Sequence, residues 1–256
     1  MALIHCDFKS EILGLHSSLI VILPERPFSD ILTSPTPKFP TLYLLHGLTD
    51  DHTRWQRQTS IERYAEDKGI AVVMPSVHRS YYTDMTNGYR YWTYVSEEVP
   101  ARAREMFPLS AKREENFVAG LSMGGYGAFK MALSHPERYA AAASLSGAID
   151  VAGLVKIKGD PAWEIEMRTI FGELSLISES ENDLFYLAKQ VANSDKPKPK
   201  LYQWCGTEDF LHPTNIKFRD FIQGLPFDFS YSDGPGDHTW GYWDAQIQKV
   251  LDWLPL

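Results

Sequence analysis

Short apolar runs recur along the chain, and most are followed by stretches with helical spacing of hydrophobic positions. Residues 4–15 and 18–24 read as two early strands joined by a turn at Gly14, the second built on the β-branched run 19–23 and stopped by Pro24. Residues 27–40 are rich in proline, serine and threonine and read as a surface loop. Residues 41–45, 70–74, 116–120, 140–145 and 200–205 are largely apolar throughout, as strands buried on both faces are, and 227–232 reads as the last strand. Helical patterns fall between them at 55–68, 96–106, 126–133 and 215–223, with a final helix over 242–254. Gly69 closes the first of these helices, and Pro108 lies just beyond the second. Strands alternating with helices predict an α/β chain with a mainly parallel sheet covered on both faces. The rhythm breaks at 147–195, a charged and helix-prone stretch read as a cap-like insertion over the sheet within a single domain spanning 1–256.

Composition narrows the function. The chain has 256 residues, 44% of them hydrophobic, enough for one large core. The net charge of −8 disfavours a nucleic-acid backbone or an anionic membrane surface as partner. Cys6 and Cys205 are far apart and form no ligand-spaced cluster, so no metal and no redox centre is expected. His52 beside Asp50 and Asp51 reads as a solvated, helix-capping run, because adjacent side chains rarely converge on one ion. No apolar run approaches the length of a membrane span, and the first residues lack the basic and apolar regions of a secretory signal. A cytoplasmic location is therefore expected, and the oligomeric state is left open.

One stretch carries chemistry. Gly120-Leu121-Ser122-Met123-Gly124 lies between a predicted strand and a predicted helix. A serine held on so tight a turn is forced into a strained backbone, and only small residues two positions to either side leave room for it. Such a serine needs a base, and the base needs an acid to orient it; in this architecture they follow in the order serine, acid, histidine. His238 lies in the glycine-bearing loop after the last strand, whereas His212 precedes Pro213 at a helix start and suits a solvated or capping role. Glu208 and Asp209 both follow the preceding strand; Asp209 is taken as the acid, with Glu208 in reserve. Asp237 adjoins His238 and suits a turn cap instead. The Met123 amide follows the nucleophile, and the Leu48 amide follows Gly47 after strand 41–45, so these two are the candidate oxyanion donors. His46, just before, is expected to hold that loop's shape by hydrogen bonding.

Leu44-Leu45-His46-Gly47-Leu48, Gly120-Leu121-Ser122-Met123-Gly124-Gly125, Gly206-Thr207-Glu208-Asp209 and Asp237-His238-Thr239-Trp240 resemble the esterase D-like branch of the α/β-hydrolases. That branch includes tributyrin esterases, S-formylglutathione hydrolases, acetylesterases, feruloyl esterases and mycolyltransferases. The nearest likeness is to small bacterial tributyrin esterases, through residues 74–85 and Tyr91-Trp92-Thr93-Tyr94. The resemblance implies the α/β-hydrolase fold, no cofactor, a triad of Ser122, Asp209 and His238, and hydrolysis of short-chain acyl esters, with a thioesterase, a feruloyl or acetyl-sugar esterase and a catalytically silent binding module as the alternative readings. S-formylglutathione hydrolases carry a cysteine shortly after the Gly-Leu of the oxyanion loop and a histidine before the nucleophile. Thr49-Asp50 and Leu121 stand at those places here. Tyr81, Tyr82, Tyr89, Tyr91, Trp92 and Tyr94 crowd one loop, and at least half are expected to be structural. Gly47, Trp55, Tyr82, Trp92 and Trp240 are the candidate substrate contacts. In the insertion, Lys156, Lys158, Asp160, Glu164, Glu166 and Arg168 outweigh Trp163, Ile165, Met167 and Ile170, which suits soluble short-chain esters better than a lipid interface.

Overall fold

The computed structural model of the chain describes residues 1–155 and 160–256. Among the described residues, eight strands form one sheet, in the order β1-β2-β4-β3-β5-β6-β7-β8. These are β1 (Ala2–Ser10), β2 (Leu15–Leu23), β3 (Thr41–Leu45), β4 (Ala71–Pro75), β5 (Asn116–Leu121), β6 (Ala141–Leu145), β7 (Lys200–Gly206) and β8 (Phe229–Gly234). β1 and β2 are antiparallel to each other, and β2 is antiparallel to β4; from β4 to β8 all pairs are parallel. This is the α/β-hydrolase fold. The helices are α1 (Phe28–Thr33), α2 (Arg54–Gln58), α3 (Ile61–Lys68), α4 (Tyr91–Thr93), α5 (Val99–Met106), α6 (Met123–Ser134), α7 (Val151–Leu154), α8 (Pro161–Phe171), α9 (Leu184–Ala192), α10 (His212–Ile222) and α11 (Trp240–Trp253).

Alternate residues of each strand enter two separate cores, which is why the strands read as unbroken apolar runs. Tyr43, Leu45, Val73 and Val118 pack under α5, α6, α9 and α10. Leu42, Leu44, Val72 and Phe117 pack under α3 and α11 through Ile61, Ala65, Ile247 and Val250. The parallel strands all end on one side, and the loops after β3, β5, β7 and β8 carry the candidate chemistry there.

Several elements differ from the sequence expectation. The helix expected at 55–68 is two, because the Thr59 hydroxyl bonds back to the Trp55 carbonyl and then caps the Ile61 N–H. The helix expected at 96–106 starts at Tyr91 and widens to a π-helical segment, Tyr94–Glu98, before α5. Pro100 has no N–H to offer the Ser96 carbonyl, which accepts from Arg138 instead. Loop 27–40 contains α1. In the stretch read as an insertion, α9 packs against α6 and α10 as an ordinary sheet-covering helix. Leu154 of α7 and Trp163 of α8 lie by the strand ends, and Lys156 and Lys158 lie outside the described residues.

Backbone packing is very close where β3, β5 and α6 meet. A Cβ on Gly120 would stand 2.3 Å from the Gly124 carbonyl oxygen, and one on Gly124 would stand 2.3 Å from the Leu45 carbonyl oxygen. Gly241, in the first turn of α11, has open space instead. Gly124→Ala should therefore lower unfolding stability by about 2–4 kcal/mol. Gly241→Ala should leave it unchanged or raise it by up to ~1 kcal/mol. Urea midpoints of the two variants check this, and equal stabilities would refute the packing argument.

Candidate active site

Ser122 closes β5 and opens α6 at φ 52° and ψ −119°, a conformation that costs an L-residue on the order of 1–3 kcal/mol. Backbone bonds hold it there: its N–H donates to the Leu145 carbonyl, and its carbonyl accepts from Tyr126 and Ala148. The strain turns the hydroxyl away from both strand and helix, toward the loops after β7 and β8.

His238 meets it from the loop after β8. Its Nε2 accepts the Ser122 hydroxyl at 3.0 Å, and its Nδ1–H donates to Asp209 Oδ2 at 2.8 Å. The other Asp209 oxygen accepts the Leu211 N–H at 2.8 Å. The Asp209 side chain is fully buried. Burial pushes its carboxyl upward, but the bonds from His238 and Leu211 outweigh this and hold it below the ordinary carboxylate range. Asp209 is thus ionised and accepts from Nδ1–H, which orients the ring with Nε2 facing the serine. Trp243 supports this pair: its ring meets the His238 ring edge-on at 4.8 Å, and its indole N–H donates to the Ser146 hydroxyl.

The neighbouring acids are engaged elsewhere. Glu208 accepts the Gly236 N–H and the Thr207 hydroxyl. Asp237 accepts the Thr239 hydroxyl, as a turn cap does. His212 lies 3.5 Å from Asp233 at the start of α10.

The loop after β3 lies against the nucleophile. A Cβ on Gly47 would stand 3.7 Å from the Ser122 Cβ and 2.8 Å from the end of the Leu121 side chain, so the glycine backbone runs close beside the nucleophile. The Leu48 and Met123 N–H groups donate to no acceptor among the described residues. His46 pins the loop from below. Its Nε2 accepts the Val77 N–H at 3.0 Å, so Nδ1 carries the proton and donates to the Gly47 carbonyl. Tyr82 donates its hydroxyl to the His46 carbonyl.

Two cavities meet at Ser122. One, about 340 Å³, is walled by Tyr81, Ala148, Leu154, Trp163, Phe210 and Leu211 and is almost wholly apolar. The other, about 370 Å³, holds His238, Trp240, Trp243, Asp50 and Arg54. Leu48, Thr49 and Asp50 also wall a larger cleft of about 840 Å³, with His78, Arg79, Tyr89 and Tyr91.

Of the expected substrate contacts, Gly47 and Trp240 border the cavity that holds His238. The other three are corrected. Trp55 is buried beneath Trp240, its indole N–H spent on the Leu45 carbonyl. Tyr82 is fully buried against Gly127. Trp92 stacks on His135 and covers the buried Lys130 ammonium, 4.5 Å from its ring, at a separate cavity. Within the aromatic loop, Tyr81, Tyr89 and Tyr91 border cavities near the site, whereas Tyr82, Trp92 and Tyr94 pack the loop down. Sequence reasoning missed Phe210 as a wall of both cavities at Ser122. Its one visible signal was a large apolar residue directly after the candidate acid.

The Esterase family profile matches residues 10–254, nearly the whole chain. The chain is a member of the Esterase family. An acetyl esterase of Caldicellulosiruptor saccharolyticus is 30% identical over 99% of this chain and 98% of its own. Among solved structures, the fluorophosphonate-binding serine hydrolase FphF of Staphylococcus aureus superposes with a TM-score of 0.92 at 38% identity, covering 99% of this chain and 98% of that one. An S-formylglutathione hydrolase, FrmB, from the same species has a TM-score of 0.89, again at 38% identity over 99% and 98% of the two chains. The esterase is accordingly a serine hydrolase acting on ester bonds. None of its helices, among the described residues, is long and apolar enough to cross a membrane.

Burial depresses the His46 imidazole from 6.5 to about 4. Between those values the unfolded chain binds a proton that the native esterase does not. Stability therefore falls as pH drops through this window, by up to about 3 kcal/mol, and this contribution levels off below it. His46→Gln removes the titrating group. Urea unfolding at pH 7 and pH 4.5 should show the wild type losing more stability than the variant, and equal losses would contradict a buried neutral His46.

Proposed function

We propose that this esterase is a carboxylesterase of the tributyrin-esterase kind that hydrolyses short acyl esters. The observation that carries this reading is the continuous hydrogen-bond chain from Ser122 through His238 to Asp209 where the two cavities meet. Ser122 Oγ attacks the ester carbonyl carbon as His238 Nε2 takes its proton, and the carbonyl π electrons move to oxygen. The Leu48 and Met123 N–H groups, with no acceptor of their own, stabilise that oxyanion. The tetrahedral carbon collapses, the C–O bond breaks, and His238 returns the proton to the departing alcohol. Water then attacks the acyl-serine, giving its proton to His238, and the acid leaves as Ser122 is reprotonated. Asp209 holds the imidazole tautomer and offsets its positive charge throughout. The chemistry needs no metal or organic cofactor.

The cavities support a placement for the two halves of the substrate. Only a leaving group within reach of His238 can be protonated by it, so the alcohol belongs in the cavity that holds His238. The acyl chain then belongs in the apolar cavity, where each methylene that fits adds about 0.8 kcal/mol. Room for the remoter part of the alcohol continues along Leu48-Thr49-Asp50 into the larger cleft. Both described cations beside that path are paired, Arg79 with Glu166 and Arg54 with Asp50. An uncharged alcohol fits this arrangement better than an anionic thiol such as glutathione. The likeness to an S-formylglutathione hydrolase supports thioester hydrolysis as a second reading, served by the same residues.

Ser122→Ala should keep the fold and lose three or more orders of magnitude (roughly) in turnover, together with labelling by a fluorophosphonate. Asp209→Asn should cost on the order of 10⁴ in turnover, and Glu208→Gln less than about tenfold. A wild-type chain that hydrolysed no ester and took no label would instead be a silent binding module. Reversed penalties for the two acids would reject Asp209.

In a panel of p-nitrophenyl esters, kcat/KM should rise from acetyl to butyryl and be at least about tenfold lower for palmitoyl. It should exceed kcat/KM for S-formylglutathione. Preference for the thioester would install the second reading.

A further inference from the structure

The apolar cavity at Ser122 has walls of two kinds. Tyr81, Ala148 and Leu211 are buried in the body of the protein. Trp163 comes from α8, a helix outside the sheet layers, and its ring meets Tyr81 edge-on at 6.3 Å. The two segments that bring these rings together meet again immediately alongside. Arg79, two residues before Tyr81, forms a two-pronged bond to Glu166, three residues after Trp163, at 2.5 and 2.7 Å. Residues three apart on a helix are neighbours on its surface, so the ion pair and the ring pair lie side by side. The far end of α8 is anchored to the same loop by Thr86 N–H to the Ile170 carbonyl and Asn87 N–H to the Thr169 carbonyl.

The loop that receives α8 is itself held under strain. His78, Tyr81 and Tyr82 all have φ near +50°, the left-handed region that side chains other than glycine rarely enter. Three such residues within five positions persist only because packing over-determines them, and such strain clusters where ligands are clamped. Tyr81 gains a fixed position from it, packed against Tyr126 and Phe171 as well as Trp163. Glu166 borders the larger cleft and does not wall the acyl cavity, so the ion pair acts on that cavity only through the placement of α8.

We infer that Trp163, held against Tyr81 by the Arg79–Glu166 pair, limits the acyl chain length the esterase accepts. The inference rests on the ester-hydrolysis reading above and extends it to the acyl specificity of that site. Trp163 is a specificity determinant that contacts the acyl chain, and Arg79 and Glu166 are positioning residues acting through α8.

The test compares kcat/KM for p-nitrophenyl octanoate and butyrate in the wild type, Trp163→Ala, Trp163→Phe and Glu166→Gln. Removing the indole should raise the octanoate-to-butyrate ratio by about tenfold or more, since each further methylene accommodated adds about fourfold. Trp163→Phe should move it in the same direction by less, and covers the case that the alanine variant folds poorly. Glu166→Gln leaves the cavity lining intact and should raise the ratio about two- to fivefold, through loosened placement of α8. A ratio unchanged or lowered in both Trp163 variants, with butyrate still hydrolysed, would overturn the inference and leave the esterase reading standing. A shift in the Trp163 variants but none in Glu166→Gln would overturn the role of the ion pair. Absence of ester hydrolysis in the wild type would overturn the esterase reading and this inference together.

Discussion

The structure depends on one crowded backbone junction. At the ends of β3 and β5, Gly124 comes so near the Leu45 and His46 carbonyls that no side chain could stand between them. This contact lets α6 begin directly over β3, and it bends the chain at Ser122 into a left-handed conformation. Every later feature of the site is placed relative to that bend. Gly47 crosses close to Ser122, and the amides of Leu48 and Met123 are left without acceptors. The strain is local, and two flanking cores on opposite faces of the sheet over-determine it.

Around this junction, the buried ionisable groups are held by specific hydrogen bonds. His46 is kept neutral by burial and spends both ring nitrogens on backbone groups, so it shapes the loop without titrating near neutrality. Asp209 is the fully buried carboxylate of the site, and it keeps its charge because two N–H groups point at its two oxygens. Its isolation from water strengthens its hold on His238, since a charge-assisted hydrogen bond is worth more where the dielectric is low. Lys130 follows the same economy on the far side of α6. Its buried ammonium reaches the Tyr82 carbonyl, Thr83 and Asn182, and burial lowers it to about 7. By tying the aromatic loop to α6, it fixes Tyr81 and Tyr82 from behind while taking no part in the site.

On the proposed mechanism, reaction and selectivity are carried by different parts of the chain. The loops after β3, β5, β7 and β8 carry Leu48, Ser122, Asp209 and His238 and are held by the sheet. The cavities around Ser122 draw on Tyr81, Leu154, Trp163 and Phe210, which come from longer loops and from helices beyond the sheet layers. Such segments tolerate change without disturbing the junction. This division gives one framework a route to differing acyl and alcohol preferences among family members.

Much of the candidate site's geometry was legible in the sequence because its requirements are local. Glycines two positions either side of Ser122, a histidine after the last strand and an acid after the strand before it follow from the bend and from the direction of parallel strands. The apolar runs likewise declared strands buried on both faces. Tertiary structure alone decided the rest. Asp209 rather than Glu208 meets His238, because Gly236 engages the glutamate, and that choice depends on how two distant loops cross. Trp55, Tyr82 and Trp92 looked as suited to a pocket as Tyr81 does, since an aromatic ring serves a core and a cavity wall equally well. Their fate was set by packing partners far away in sequence: the Leu45 carbonyl, Gly127 and Lys130. Local sterics write themselves into sequence, whereas the side of a wall that a ring faces is fixed only when separate elements meet.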